Sequence, residues 1–81
     1  MKAAIFNRVP YLGSAPRDVW PAPGAGFASD QAMQSFEEGL EQFQLADEVG
    51  FDWVTVAEHH YAPFSLTPNP MVMAGALTQR L

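Results

Sequence analysis

This chain contains no cysteine, so no disulfide, zinc–thiolate cluster or thiol nucleophile can enter its fold or its chemistry. Basic residues are scarce too: four Lys and Arg stand against nine Asp and Glu, for a formal charge of −5. Nucleic-acid binding needs Lys and Arg to displace the counterions of the phosphates, so this balance argues against that class. Long apolar runs are missing as well. No stretch nears the roughly 18–20 residues of a membrane span. The opening Met1-Lys2-Ala3-Ala4-Ile5-Phe6 meets Asn7 and Arg8 before it could form a signal peptide's apolar core. The expectation is a soluble, cytoplasmic protein. Length is the last shortage. Residues 1–81 allow one domain at most, and a chain of this size buries only about 60–65% of the surface its unfolded state exposes.

What is present is a sharp boundary between apolar and polar residues. Trp53-Val54-Thr55-Val56-Ala57 is a short apolar run rich in β-branched residues, preceded by Gly50 and Asp52, and it predicts a strand buried on both faces. It ends abruptly in Glu58-His59-His60-Tyr61. In α/β folds, ligands and catalytic groups gather at the carboxyl ends of parallel strands, where loops vary on a rigid base. A first buried strand is expected over Lys2 to Val9, ended by Pro10, which cannot donate to a ladder. From Pro10 to about Ser29, four prolines and three glycines leave no periodicity, which reads as a long loop at about 10–29, of the kind that serves as a functional lid, a disordered segment or a linker. Its Tyr11, Trp20 and Phe27 argue against a mere linker.

A helix should follow, starting between Asp30 and Ser35. Ser29 or Asp30 could cap it, and Ser35 with Glu38 has capping-box spacing. Phe36, Leu40, Phe43 and Ala46 form the expected buried stripe. Five of the nine acids lie between Glu37 and Glu48, as the solvated face of that helix, and Gly50 ends it. Helix, turn and strand in this order complete a βαβ crossover, which makes the two strands parallel neighbours. After a second proline-rich loop, Asn69-Pro70 is a helix start with Asn as cap and Pro at the first position. The largely apolar helix beyond it, with Met71 and Met73 assigned to the core, needs cover on more than one side. Both long loops belong at the same end. Two strands and two helices cannot close a sheet, so the pattern reads as the opening of a larger α/β domain.

The candidate site residues are Glu58, His59 and His60. An imidazole can accept or donate a proton near neutral pH, which suits acid–base catalysis. Adjacent residues on a strand point to opposite faces, so at most one of the histidines should enter a given pocket unless the strand has already ended. The competing account makes both histidines structural and Glu58 a solvated carboxylate. Three consecutive ligands have poor geometry for one ion, and no metal site is expected. Tyr61 and Phe64 could line a pocket or simply pack, and Arg8 stands at the end of the first strand.

Gly50-Phe51-Asp52-Trp53-Val54-Thr55-Val56-Ala57-Glu58-His59-His60-Tyr61, followed by Leu66-Thr67-Pro68-Asn69-Pro70, resembles the start of the bacterial luciferase-like flavin monooxygenases. The match covers the second half of the chain well and the first strand loosely. The resemblance implies an α/β fold that is a (βα)8 TIM barrel in the complete protein, of which this chain supplies the first two βα units. It also implies reduced FMN as cofactor, with a deazaflavin as the alternative, and oxygenation of an aldehyde or other small organic substrate by dioxygen. A flavin reductase as the source of reduced flavin and a homodimer come with it. By position, His59 would be the base beside the flavin, with Glu58 and His60 in support, and the 81 residues alone would be inactive. Two other readings stand beside this one: a truncated, non-catalytic interaction or oligomerisation piece, and a metal-dependent hydrolase on the same barrel.

Overall fold

The structure, a computed structural model, describes residues 1–81. Strand β1 (Ala4–Asn7), helix α1 (Ser29–Glu48), strand β2 (Trp53–Val56) and helix α2 (Pro70–Thr78) follow in that order. The strands pair in parallel, Ala4 opposite Trp53 through Asn7 opposite Val56, as the crossover pattern predicts.

Burial alternates along both strands, so neither is covered on two faces. Asn7 is buried and Ile5, Val54 and Val56 are half-buried, all on one side; Phe6, Trp53 and Thr55 are exposed on the other. The expectation of doubly buried strands fails because both helices this chain supplies meet the same face of the sheet. Val9 and Phe43, each 0% exposed, form the centre of the core with Met73 and Leu77. Met71, by contrast, is 76% exposed, because it lies in the first turn of α2 on the side turned from the sheet.

Helix α1 also sits differently from the apolar pattern. Its buried line is Ala32, Ser35, Gly39, Phe43 and Ala46, while Phe36 and Leu40 flank it half-buried. The closest approach runs over small residues: a methyl group at Gly39 would stand 3.0 Å from a Val9 methyl carbon. Polarity contributes as well, since Asn7 donates from its side chain to Gln42 of α1 at 2.6 Å. A hydrophobic stripe cannot anticipate a contact made through glycine and serine.

The helix begins at Ser29 with Ala28 at the N-cap, and no side chain caps it. Neither Ser29 nor a Ser35–Glu38 box serves, and Asp30, inside the first turn rather than at the cap, accepts from the Gln31 N–H at 2.9 Å. Instead the Ala28 N–H donates to the Tyr11 hydroxyl at 2.9 Å, so a residue of the preceding loop takes over part of the cap's role. At the other end Gly50 has φ +97°, its N–H donates to the Asp47 carbonyl and that of Phe51 to Ala46. This pair of bonds is a Schellman motif, which needs the left-handed residue glycine supplies. Asp52 then anchors the start of β1, accepting from Ala3 N–H at 2.8 Å and facing Lys2 at 3.5 Å. The start of α2 matches expectation: Asn69 accepts from Met71 N–H at 3.2 Å and Pro70 opens the helix.

Candidate functional site

Both long loops leave the carboxyl ends of the strands, and each departure involves a backbone turn of low intrinsic preference. Val9 (φ 50°) and Tyr61 (φ 58°) adopt the left-handed conformation, which a β-branched residue such as Val9 rarely does. Val9 is held there by its N–H donating to the Asn7 side chain at 2.8 Å and by its carbonyl accepting from Leu66 N–H at 2.9 Å. The surroundings thus impose a conformation that the residue alone would avoid.

The Pro10–Ala28 segment has no regular structure, yet it is tied to the histidine loop at several points. Tyr11 N–H donates to the Pro63 carbonyl at 2.8 Å, Ala22 N–H to the Tyr61 carbonyl at 2.8 Å, and the Trp20 indole N–H to the His60 carbonyl at 2.9 Å. Aromatic contacts add to this, with Tyr11 stacked on Phe27 at 5.3 Å and Trp20 edge-on to Tyr61 at 6.1 Å between centroids. Tyr11 is the buried member of the group, and its ring lies where a Cβ at Gly13 would be. Glycine at position 13 therefore makes room for the tyrosine that joins the two loops.

Between the loops lies a cavity of about 380 Å³, and His59 is part of its wall. The imidazole packs edge-on against Phe64, with centroids 4.7 Å apart, and the His59 backbone N–H donates to the Thr67 carbonyl at 3.4 Å. Thr67 is itself fixed by donating its hydroxyl to the Ala57 carbonyl, with Ser65 as a further hydroxyl partner. His60 goes elsewhere. Its Nε2 stands 3.1 Å from a Glu58 carboxylate oxygen, and both side chains are more than half exposed. A pair so open to water holds its partners weakly.

Glu58 and His60 were expected to support His59. They bond to one another instead; the His59 ring meets Phe64, and its backbone is held by the Thr67 carbonyl. Only one of the histidines lines the cavity, but strand alternation is not the reason, because β2 ends at Val56 and both histidines lie in the loop beyond it. Trp20, Tyr11 and Thr67 carry no catalytic motif, and the sequence reading named none of them for the site. The hint for the first two was the presence of aromatics in a proline-rich loop. No three His, Asp or Glu side chains lie close enough to share a metal ion.

A reduced flavin mononucleotide needs a broad flat contact and a set of donors for its phosphate. The cavity wall and His59 fit the first requirement in part. For the second, no Lys or Arg lines the cavity. Arg8 lies instead in a separate polar depression with Glu38.

The family model described as luciferase-like monooxygenase matches residues 17–80. No curated protein and no solved structure matches the chain.

Proposed function

The chain belongs to the luciferase-like monooxygenase family, and on that premise we propose that it forms the opening βα units of a barrel in which His59 serves oxygenation of a small organic substrate. The observation that carries this reading is the position of His59: of the two imidazoles, it alone lines the cavity between the loops at the carboxyl ends of the strands. Reduced flavin, as FMN or a deazaflavin, supplies the electrons for dioxygen when bound, and its phosphate is held by residues outside these 81. His59 presents an orientable proton acceptor and donor to the cavity. Phe64 limits its rotation, and the loop from Pro10 to Ala28 restricts water on that side. Glu58 and His60 form an outer pair that adjusts the loop rather than the reacting atoms. A reductase supplying the flavin and a homodimeric assembly are part of the same proposal.

The test is turnover with reduced flavin and dioxygen in His59→Ala and His60→Ala forms of the complete protein. His59→Ala should lower turnover by about 10²-fold or more, as loss of a general acid–base group does, with flavin affinity changed only a few-fold. His60→Ala should retain most activity. Wild-type turnover in His59→Ala would remove that residue from the mechanism.

A second reading, a docking piece without catalysis, is favoured by the bare sheet face, where Phe6 is 61% and Trp53 58% exposed. Strand pairing and apolar cover would come from a partner. Flavin-independent oligomerisation of the purified chain, with no oxygenation by any longer form, would select it.

A further inference from the structure

We propose that residues 13–26 form a strap along the cavity, fixed at its neck by Tyr11 and latched at its tip by Trp20, so that release of the latch opens the way to His59. This goes beyond the monooxygenase reading, since the strap opens without flavin or turnover.

The neck is held from several directions. The Tyr11 N–H donates to the Pro63 carbonyl at 2.8 Å, its hydroxyl accepts from the Ala28 N–H at 2.9 Å, and its ring stacks on Phe27. One buried side chain thus clasps both ends of the segment. The Leu12 N–H adds a bond to the Ser35 hydroxyl of α1 at 3.0 Å. Opening here would expose the tyrosine ring and separate several hydrogen-bonded pairs at once, so the neck is the costly place to part.

The tip is held differently. Between Gly13 and Gly26, two hydrogen bonds reach the rest of the protein: the Ala22 N–H to the Tyr61 carbonyl at 2.8 Å and the Trp20 indole N–H to the His60 carbonyl at 2.9 Å. Trp20 meets Tyr61 edge-on, and each of the two residues is 70% exposed. Lifting the tip therefore parts little apolar area, and segments with few buried contacts open at low free energy. Pro16, Pro21 and Pro23 restrict the backbone inside it, which favours movement as a unit. Gly26, at φ +85° and with open space where a Cβ would stand, gives the leg beside Phe27 room to turn.

What the tip covers gives the motion its consequence. Ala15, Pro16, Ala22 and Pro23 line the same cavity as His59. Lifting them removes one wall, while Tyr11 and Phe27 keep the neck in place. Both latch acceptors are carbonyls of the loop that carries His59, so the state of the strap is tied to the position of that loop.

The experiment follows amide hydrogen exchange and diethyl pyrocarbonate labelling in the complete protein without flavin, comparing the wild type with Trp20→Ala and Trp20→Phe. The reagent forms an N–C bond from an imidazole nitrogen to its ethoxycarbonyl group, releasing carbon dioxide and, with the imidazole proton, ethanol. His60 is exposed and serves as the internal reference for His59. In Trp20→Ala the Ala22 amide should exchange at least about fivefold faster, the lower end of what one hydrogen bond and one aromatic contact contribute together. Labelling of His59 should rise relative to His60. The Tyr11 and Ala28 amides should keep their wild-type rates, as should Phe51, whose bond to the Ala46 carbonyl reports the intact fold. Trp20→Phe keeps a ring and loses the donor, so its Ala22 rate should rise at least about twofold and stay below that of Trp20→Ala. If Phe51 quickens in Trp20→Ala, the same comparison in Trp20→Phe decides. The proposal is overturned if Ala22 gains less than these factors, if Tyr11 or Ala28 quickens as much as Ala22, or if the ratio of His59 to His60 labelling is unchanged. Because flavin is absent, failure here leaves the His59 turnover test standing, and failure of that test leaves this one standing.

Discussion

The two faces of the small sheet differ more than any other two regions of the molecule. One packs Ile5, Asn7, Val54 and Val56 toward the helices, around the Val9 and Phe43 core. The other leaves Phe6 and Trp53 more than half in water. Both are made from the same two strands with apolar residues on each side, so composition does not separate them. Cover does, and this chain supplies helices to one face only. The lesson is that an apolar strand reports what its position can bury, and a partner layer decides whether it does.

The largest test of this contrast is Phe43→Ala, on the packed face. Phe43 is fully buried, and its truncation should destabilise by about 3–5 kcal/mol, read as a lowered midpoint in urea unfolding. A cost below about 1 kcal/mol would mean that the core is not where the geometry puts it. Next comes Gly39→Leu. The helix passes Val9 closely at this glycine, so a large side chain should cost about 1–3 kcal/mol through overpacking, even though leucine favours helix more than glycine does. An unchanged or raised midpoint would show that helix and strand separate easily there. The smallest effect belongs to the bare face. Phe6→Thr in the 81-residue chain should stay within about 0.5 kcal/mol, as at other exposed positions. In a longer protein where that face is covered, the same change should cost about 1.5–3 kcal/mol. Comparing the two lengths therefore asks directly whether the uncovered face is an interior one.

Much of the fold was legible because its signals are local. The Gly50 turn, the Asn69-Pro70 helix start and the parallel pairing follow from residues adjacent in sequence or from the order of elements. The start of α1 was not legible in the same way. Ser29 and Asp30 have the chemistry of caps, yet a tyrosine seventeen positions before Ala28 meets its N–H instead. The buried line of α1 was displaced toward Ser35 and Gly39 for a related reason, since close approach rewards small residues that a hydrophobic stripe ignores. Glu58-His59-His60 is a candidate because of its place at a strand end. That Glu58 turns to His60 while Phe64 holds His59 depends on loop geometry that no spacing encodes.

By itself the sequence determined the family, the parallel βαβ order and the residues available for proton chemistry, because strand ends, helix caps and turns are encoded within a few neighbouring positions. Only the tertiary structure decided which histidine lines a cavity, which loop closes it and which sheet face stays bare. Those outcomes depend on contacts such as Trp20 with His60 and Tyr11 with Pro63, made between residues far apart along the chain. Such contacts form only once the backbone has brought the two loops to the same end of the sheet.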